Sequence, residues 1–321
     1  LQIADNIFRE FSDITPKNIS ILRNEGRLIA KIEVDENVYF LKGERQTNEF
    51  IETVISFVTA MNEKGIPFTR LEKTIDGHQY VEASGFIFTV EKKSVGEEVE
   101  RLRFSHINDI GKMLGKQHAV SETLDVCFGT ATSWSIFGGN ETDALGDYDE
   151  NELSFKKFMQ DAEKLSELSV EVELIKNSYL VKRERLSTVW ETLPSGPIQG
   201  DFCPYNMLFS QDGKITSIYD YNIAGDEVFL NECIGVGVFL AWHHPYIGAE
   251  TEVERFYIFM NAYMQERPFT EAESAVFDDL LAIIRAFRYD RVEEIVQLLR
   301  EGKDAQRFIK EAFEILQWRC R

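Results

Sequence analysis

Pro197-Ile-Gln-Gly-Asp201-Phe-Cys-Pro-Tyr-Asn206-Met-Leu-Phe209, followed by Lys214-Ile-Thr-Ser-Ile-Tyr-Asp220-Tyr221-Asn222, is the stretch on which the fold turns. Two short apolar strands bracket a polar turn that carries Asp201 and Asn206, and a later strand delivers Asp220 at its end. The Ser210-Gln-Asp-Gly213 segment reads as a hairpin turn, because Asp-Gly readily supplies the positive φ that tight turns need. Hairpin pairing then sets the residues before Met207 and those after Ile218 at one end, which gathers three oxygen-rich side chains.

Gln199-Gly-Asp201, four residues, Asn206, a hairpin and then Asp220-Tyr221-Asn222 together resemble the catalytic and metal-binding loops of the aminoglycoside phosphotransferase and choline kinase family. The usual pattern there is His-Gly-Asp-x-x-x-x-Asn, then Asp-(Phe/Trp/Tyr)-(Glu/Asp/Gly/Asn). Gln199 occupies the histidine position, and glutamine keeps both a donor and an acceptor for a scaffolding role. The resemblance implies an α+β, protein-kinase-like two-lobed fold, with an antiparallel-sheet N-lobe and a mainly helical C-lobe. It divides the chain into a nucleotide-binding lobe, residues 1–91, and a catalytic and acceptor-binding lobe, residues 92–321.

It also implies an ATP- and Mg²⁺-dependent phosphotransferase acting on a hydroxyl of a small molecule. Such transfer needs positioning and charge neutralisation more than covalent chemistry. On this template Asp201 receives or orients the acceptor hydroxyl, while Asn206 and Asp220 hold Mg²⁺, a hard cation that prefers oxygen ligands. The alternative is a catalytically degenerate kinase-fold protein that serves as a nucleotide-binding, scaffold or coat component. The joint presence of Asp201, Asn206 and Asp220 favours chemistry.

Working outward toward the N-terminus, Ile3 to Phe11 reads as a short amphipathic helix. Asn18–Arg23, Arg27–Val34 and Asn37–Lys42 read as three hairpin-linked strands, by alternation and β-branched content. Lys42 closes the third strand and, by the resemblance, is the phosphate-contacting lysine; Gly26, in the first hairpin, offers a turn over the phosphates. Residues 46–64 carry apolar side chains at a 3.6-residue spacing and end at Gly65 and Pro67, which predicts a helix. The resemblance asks a glutamate of this helix to pair with Lys42; Glu49 and Glu52 are both available, and Glu52 adjoins the apolar stripe. Two further strands lead to Phe88–Glu91, the expected linker whose backbone would hold adenine, with Glu91 at its end.

Toward the C-terminus, Ile107 to His118 predicts a helix resembling the family's Leu-Ala-x-Leu-His helix, with His118 as a packed, hydrogen-bonded core residue. Residues 122–150 read as a loop or lid, where Asn140-Glu-Thr is a formal glycosylation sequon. A long charged helical stretch follows from Asn151 to Thr192. Ala224-Gly-Asp226 leads into a helix where Glu232 stands in place of the family's aspartate, as a carboxylate bracing the catalytic loop. His243 and His244 read as a surface pair at a helix end, without a third metal ligand. Thr270-Glu-Ala-Glu273 fits a capping box in a wholly helical C-terminal part that includes Tyr263 and Arg285.

Composition bounds the partners. The chain has 321 residues, 44% of them hydrophobic, and 35 Lys and Arg against 55 Asp and Glu, for a net charge of −20. That balance argues against a nucleic-acid binder, which needs a basic footprint, and slightly favours a cationic acceptor. The acceptor classes left open are aminoglycosides, amino alcohols such as choline, hydroxylated amino acids such as homoserine, and sugars; a protein-serine kinase has no peptide-docking signature here. Cys127, Cys203, Cys233 and Cys320 are scattered without ligand spacing and read as reduced thiols. No apolar run spans a bilayer and no secretory signal opens the chain. The expected location is the cytoplasm, and a chain that opens on Leu1 is expected to be a trimmed or partly observed form.

Overall fold

The structure is a computed structural model that describes residues 1–132, 134–138 and 150–319. In chain order its elements are α1 (Gln2–Phe11), β1 (Asn18–Glu25), β2 (Arg27–Val34), β3 (Asn37–Glu44), α2 (Asn48–Glu63), β4 (Val81–Ala83), β5 (Phe86–Lys92) and α3 (Phe104–Ser121). They continue with α4 (Glu150–Ala162), α5 (Ser169–Val189), β6 (Ser195–Ile198), β7 (Met207–Phe209), β8 (Ile215–Ile218), β9 (Gly225–Val228) and α6 (Phe229–Val238). Helices α7 (Glu252–Glu266), α8 (Glu271–Ala286), α9 (Tyr289–Arg300) and α10 (Ala305–Gln317) complete the chain. Two compact units result. The first comprises Leu1–Glu100, Leu124–Phe128 and Cys203–Asn222; the second comprises Arg101–Thr123, Gly129–Phe202 and Ile223–Arg321.

The first unit is built on a five-stranded sheet of order β1-β2-β3-β5-β4, antiparallel throughout. Alternation along β2 sends Ala30, Ile32 and Val34 to one face, where they join Leu41, Phe88 and Val90 against Ala4 and Phe8 of α1. Period two then forces Arg27, Lys42, Thr89 and Glu91 onto the opposite face. Beyond the sheet, α2 starts where Thr47 accepts the Phe50 N–H at 3.1 Å, and it buries Ile51, Val54, Phe57, Val58 and Met61. Gly65, at φ 78°, ends it by letting the chain turn back so that the Ile66 N–H reaches the Met61 carbonyl.

The β7–β8 hairpin belongs to this same unit although it comes more than a hundred residues later. Ile218 donates to the Pro67 carbonyl at 2.8 Å and accepts from the Thr69 N–H at 2.7 Å, which stitches β8 to the segment after α2. The Tyr221 hydroxyl donates to the Thr69 carbonyl at 2.7 Å, and its ring stacks on Phe68. Burial raises the Tyr221 phenol well above its ordinary pKa, so it stays a neutral donor.

In the second unit α3 packs closely along α7. Gly111 and Gly115, one turn apart, permit this, because a Cβ at either would collide with the carbonyl of Phe259 or Tyr263. Strands β6 and β9 form a short antiparallel pair. The helical stretch expected from Asn151 to Thr192 comprises α4 and α5, separated by a 3₁₀ turn at Ser166–Leu168. No Gly or Pro marks that break; the helices divide because α4 packs on α9 while α5 packs on α8 and α10. Thr270 and Glu273 do form the capping box at the start of α8. The histidine pair departs from its surface reading: a wide π turn over Phe239–His243 rotates the chain so that His244 is buried, at 3% exposed. Among the described residues no helix is long and apolar enough to cross a membrane. Asn140 and Cys320 lie outside the described residues, as do residues 133 and 139–149 of the expected lid.

Candidate active site

Lys42 sits on β3 between Ile29 of β2 and Thr89 of β5, facing away from α1. Its ammonium donates to Glu91 Oε1 at 2.8 Å, and both side chains are largely buried. Burial works against the charged ammonium, but the carboxylates of Glu91, Asp220 and Glu44 outweigh it and hold the Lys42 pKa above its ordinary value. The carboxylate partner is therefore on a strand. Glu52, expected from α2, is exposed and accepts instead from the Tyr80 hydroxyl at 3.1 Å; Glu49 is also exposed. The cause is rotation about the helix axis. Phe50, Ile51 and Val54 are the α2 residues that line the small cavity in front of Lys42, and Glu52 lies on the exposed side of the helix.

The same cavity is lined by Glu44, Thr89, Glu91 and Asp220. Asp220 follows β8 and adopts φ 65°, a left-handed conformation uncommon outside glycine, which aims its carboxylate beside Arg27 at 4.0 Å. Asn206 ends a 3₁₀ turn opened by Pro204, and its carbonyl accepts from the Tyr219 N–H at 3.0 Å. Met207 pairs with Ile218, and Gly213 at φ 81° makes the turn, so the hairpin sets Asn206 and Asp220 at its same end. An amide oxygen and a carboxylate are hard donors of the type Mg²⁺ accepts, and that ion commonly completes its shell with water and phosphate oxygens. The residues present thus fit such a group. Among the described residues no three His, Cys, Asp or Glu side chains form an all-protein cage.

The Gln199–Asp201 loop belongs to the second unit and follows β6. Gln199 is fully buried, and its Oε1 accepts the Asp201 backbone N–H at 2.9 Å. Gly200 takes φ 86°, and a Cβ there would strike the Ile223 carbonyl. Its own carbonyl accepts the Trp134 indole N–H at 2.6 Å. Asp201 ends the loop with its side chain exposed.

Behind the loop stands Glu232, buried, whose Oε2 accepts from His118 Nε2 at 2.7 Å and from Gln117 Nε2 at 3.4 Å. Arg267 donates to the Tyr263 oxygen at 3.2 Å, which leaves the Tyr263 hydroxyl hydrogen for His118 Nδ1, 2.8 Å away. That order fixes a neutral imidazole with its proton on Nε2, in keeping with burial, which drives the His118 pKa well down. Burial drives Glu232 well up, aided by Glu227 and opposed by the Gly200 N–H. The close α3–α7 approach is what brings Tyr263 within reach of His118.

A strap, residues 129–132, lies along β9. Gly129 N–H donates to Asp226 Oδ2 at 2.8 Å, Asp226 N–H donates to the Thr130 carbonyl at 2.9 Å, and Thr132 Oγ1 donates to Glu227 Oε2 at 2.6 Å. Two residues on, Trp134 reaches Gly200. Neither Trp134 nor Glu227 is marked by any local motif. Arg27 carried one: it is in phase with Lys42 across the β2–β3 hairpin.

No family model matches the sequence, and no curated protein matches it. Solved structures do share its fold. The chain superposes on a microcompartment-associated aminopropanol kinase with a TM-score of 0.63 at 16% identity, covering 98% of this chain and 99% of the other. An amicoumacin kinase in complex with AMP-PNP and Ca²⁺ gives 0.62 at 15% identity, covering 98% and 92%. An aminoglycoside phosphotransferase from Alicyclobacillus acidocaldarius gives 0.62 at 12% identity, covering 97% and 96%. The chain therefore has the fold of the aminoglycoside phosphotransferases and small-molecule kinases, with an antiparallel five-stranded sheet in its N-terminal part and a mainly helical C-terminal part. That agrees with the resemblance read from Gln199 to Asn222.

Proposed function

We propose that this chain is an ATP- and Mg²⁺-dependent phosphotransferase that moves the γ-phosphate to a hydroxyl of a small molecule. The observation that carries the reading is the buried Lys42–Glu91 pair, 2.8 Å apart, in a cavity that also holds the Asp220 carboxylate. A buried ammonium with its charge secured is suited to neutralising the non-transferred phosphates. Glu91 orients that ammonium. Asn206 and Asp220 would hold Mg²⁺, which supplies charge neutralisation at the phosphate oxygens. Asp201 receives the acceptor hydroxyl's proton or orients the hydroxyl, on a loop held by Gln199, Trp134 and Glu232. Residues 1–91 form the nucleotide-binding lobe and residues 92–321 the catalytic and acceptor-binding lobe, which also supplies Asn206 and Asp220. Among the acceptor classes, the net charge of −20 favours a cationic compound such as an amino alcohol or aminoglycoside.

Thermal-shift titration with Mg·ATP and Mg·ADP, followed by an acceptor screen reading ADP release, tests this. Nucleotide should raise the melting temperature, and Asp201→Ala should abolish turnover while sparing nucleotide affinity. Asp220→Ala should weaken Mg·ATP binding as well. A folded protein that gains no stability from either nucleotide would sink the kinase reading and leave a scaffold or coat role.

A further inference from the structure

We propose that Arg27 is a second phosphate-binding cation of this site, acting beside Lys42; the inference rests on the nucleotide reading above. Arg27 opens β2 directly after the Gly26 turn, at φ 72°. Leu28 pairs with Gly43, so Arg27 lies opposite Glu44 and shares the face on which Lys42 stands two residues away. Its Nη1 donates to Glu44 Oε1 at 3.1 Å and stands 4.0 Å from Asp220 Oδ2.

The arrangement is poorly explained as a structural ion pair. Three-quarters of the Arg27 side chain is removed from solvent, and its Nε is buried with no hydrogen-bond partner among the described residues. A buried donor left unsatisfied is a net cost, and the desolvation of a partly buried Arg–Glu pair offsets much of its Coulombic gain. Lys42 spends one of its three donors on Glu91, and Arg27, held by Glu44, adds a second cation on this face with donors to spare. A planar guanidinium with several N–H groups in a fixed fork matches phosphate oxygens better than any other side chain. Asp220, the carboxylate assigned to the metal, is the looser of its two acidic neighbours. A polyphosphate arriving at this face would therefore find Arg27 held ready by Glu44 and able to turn its fork without leaving the sheet.

The test is calorimetric titration of the full chain and of Arg27→Gln with Mg·ATP and with AMP, which lacks the outer phosphates. Arg27→Gln should weaken Mg·ATP binding about tenfold or more, as expected for loss of a charge-assisted contact, and leave AMP affinity unchanged. Mg·ATP affinity within about twofold of the parent overturns the proposal, a difference too small for a lost phosphate contact. An equal loss for both ligands also overturns it, by marking Arg27 as structural. If the parent protein binds no nucleotide, the kinase reading falls and this proposal falls with it. Should Arg27→Gln fail to fold, Arg27→Lys keeps the charge without the fork; it should weaken Mg·ATP but not AMP, and unchanged Mg·ATP affinity refutes the proposal.

Discussion

Replacing Glu227 by glutamine should make the protein's stability markedly less sensitive to pH. Glu227 is 3% exposed, and burial pushes its carboxyl from an ordinary value of 4.5 to about 7, against the hydrogen bonds from Thr132, Ser135, the Val228 N–H and Asn231. A carboxyl whose folded pKa is raised binds its proton more tightly in the folded than in the unfolded chain. Its contribution to stability is therefore fully present below the unfolded pKa and is lost as pH rises through the folded one, a window from about 4.5 to about 7. Integrating that difference from pH 5 to pH 8 gives a loss of about 2 to 3 kcal/mol for the parent chain. Glutamine keeps an acceptor for Thr132 and a donor, but cannot ionise. Buried His118, driven down, titrates in both proteins and cancels in the comparison, whereas Glu232, which Glu227 helps to drive up, is eased back toward its ordinary value in the variant, which lessens the variant's pH dependence further. Urea denaturation of the parent and of Glu227→Gln at pH 5 and pH 8 measures the difference. Parallel pH dependences in the two proteins would refute the reasoning, as would a parent that gains stability relative to the variant on going to pH 8.

Two further outcomes follow from the loop that carries Asp201. Gly200→Ala combines a left-handed backbone with a collision against the Ile223 carbonyl, and should destabilise the fold by about 2 to 4 kcal/mol in urea denaturation; a loss under about 0.5 kcal/mol would contradict the packing described. Trp134→Phe keeps the ring and removes the N–H that meets the Gly200 carbonyl at 2.6 Å. Under the proposed function it should lower kcat roughly tenfold with the KM for ATP unchanged, because it loosens the acceptor-side loop alone; a changed KM with an unchanged kcat would contradict it.

Features encoded by neighbouring residues were legible in the chain. Asp212-Gly213 placed the hairpin that sets Asn206 and Asp220 at one end, and alternation along Arg27–Val34 marked that stretch as a strand. Thr270 and Glu273 announced the start of α8. The partner of Lys42 was not legible. Glu52 and Glu91 are both carboxylates of suitable reach by chain position, and the choice between them depends on β3–β5 register and on how α2 is rotated. The same limit hid the burial of His244, set by a π turn, and the break between α4 and α5, set by their different packing partners.

The sequence by itself determined the succession of strands and helices in the N-terminal sheet unit and the hairpin that sets Asn206 and Asp220 at one end. Those follow from turn chemistry and from periods of 2 and 3.6, which act over a few residues. Only the tertiary structure decided that Glu91 secures Lys42, that Trp134 holds the Gly200 carbonyl, and that Glu232 and His118 form one buried pair. Each joins residues tens of positions apart or more across register, helix rotation and close packing, and no local pattern in the chain specifies those.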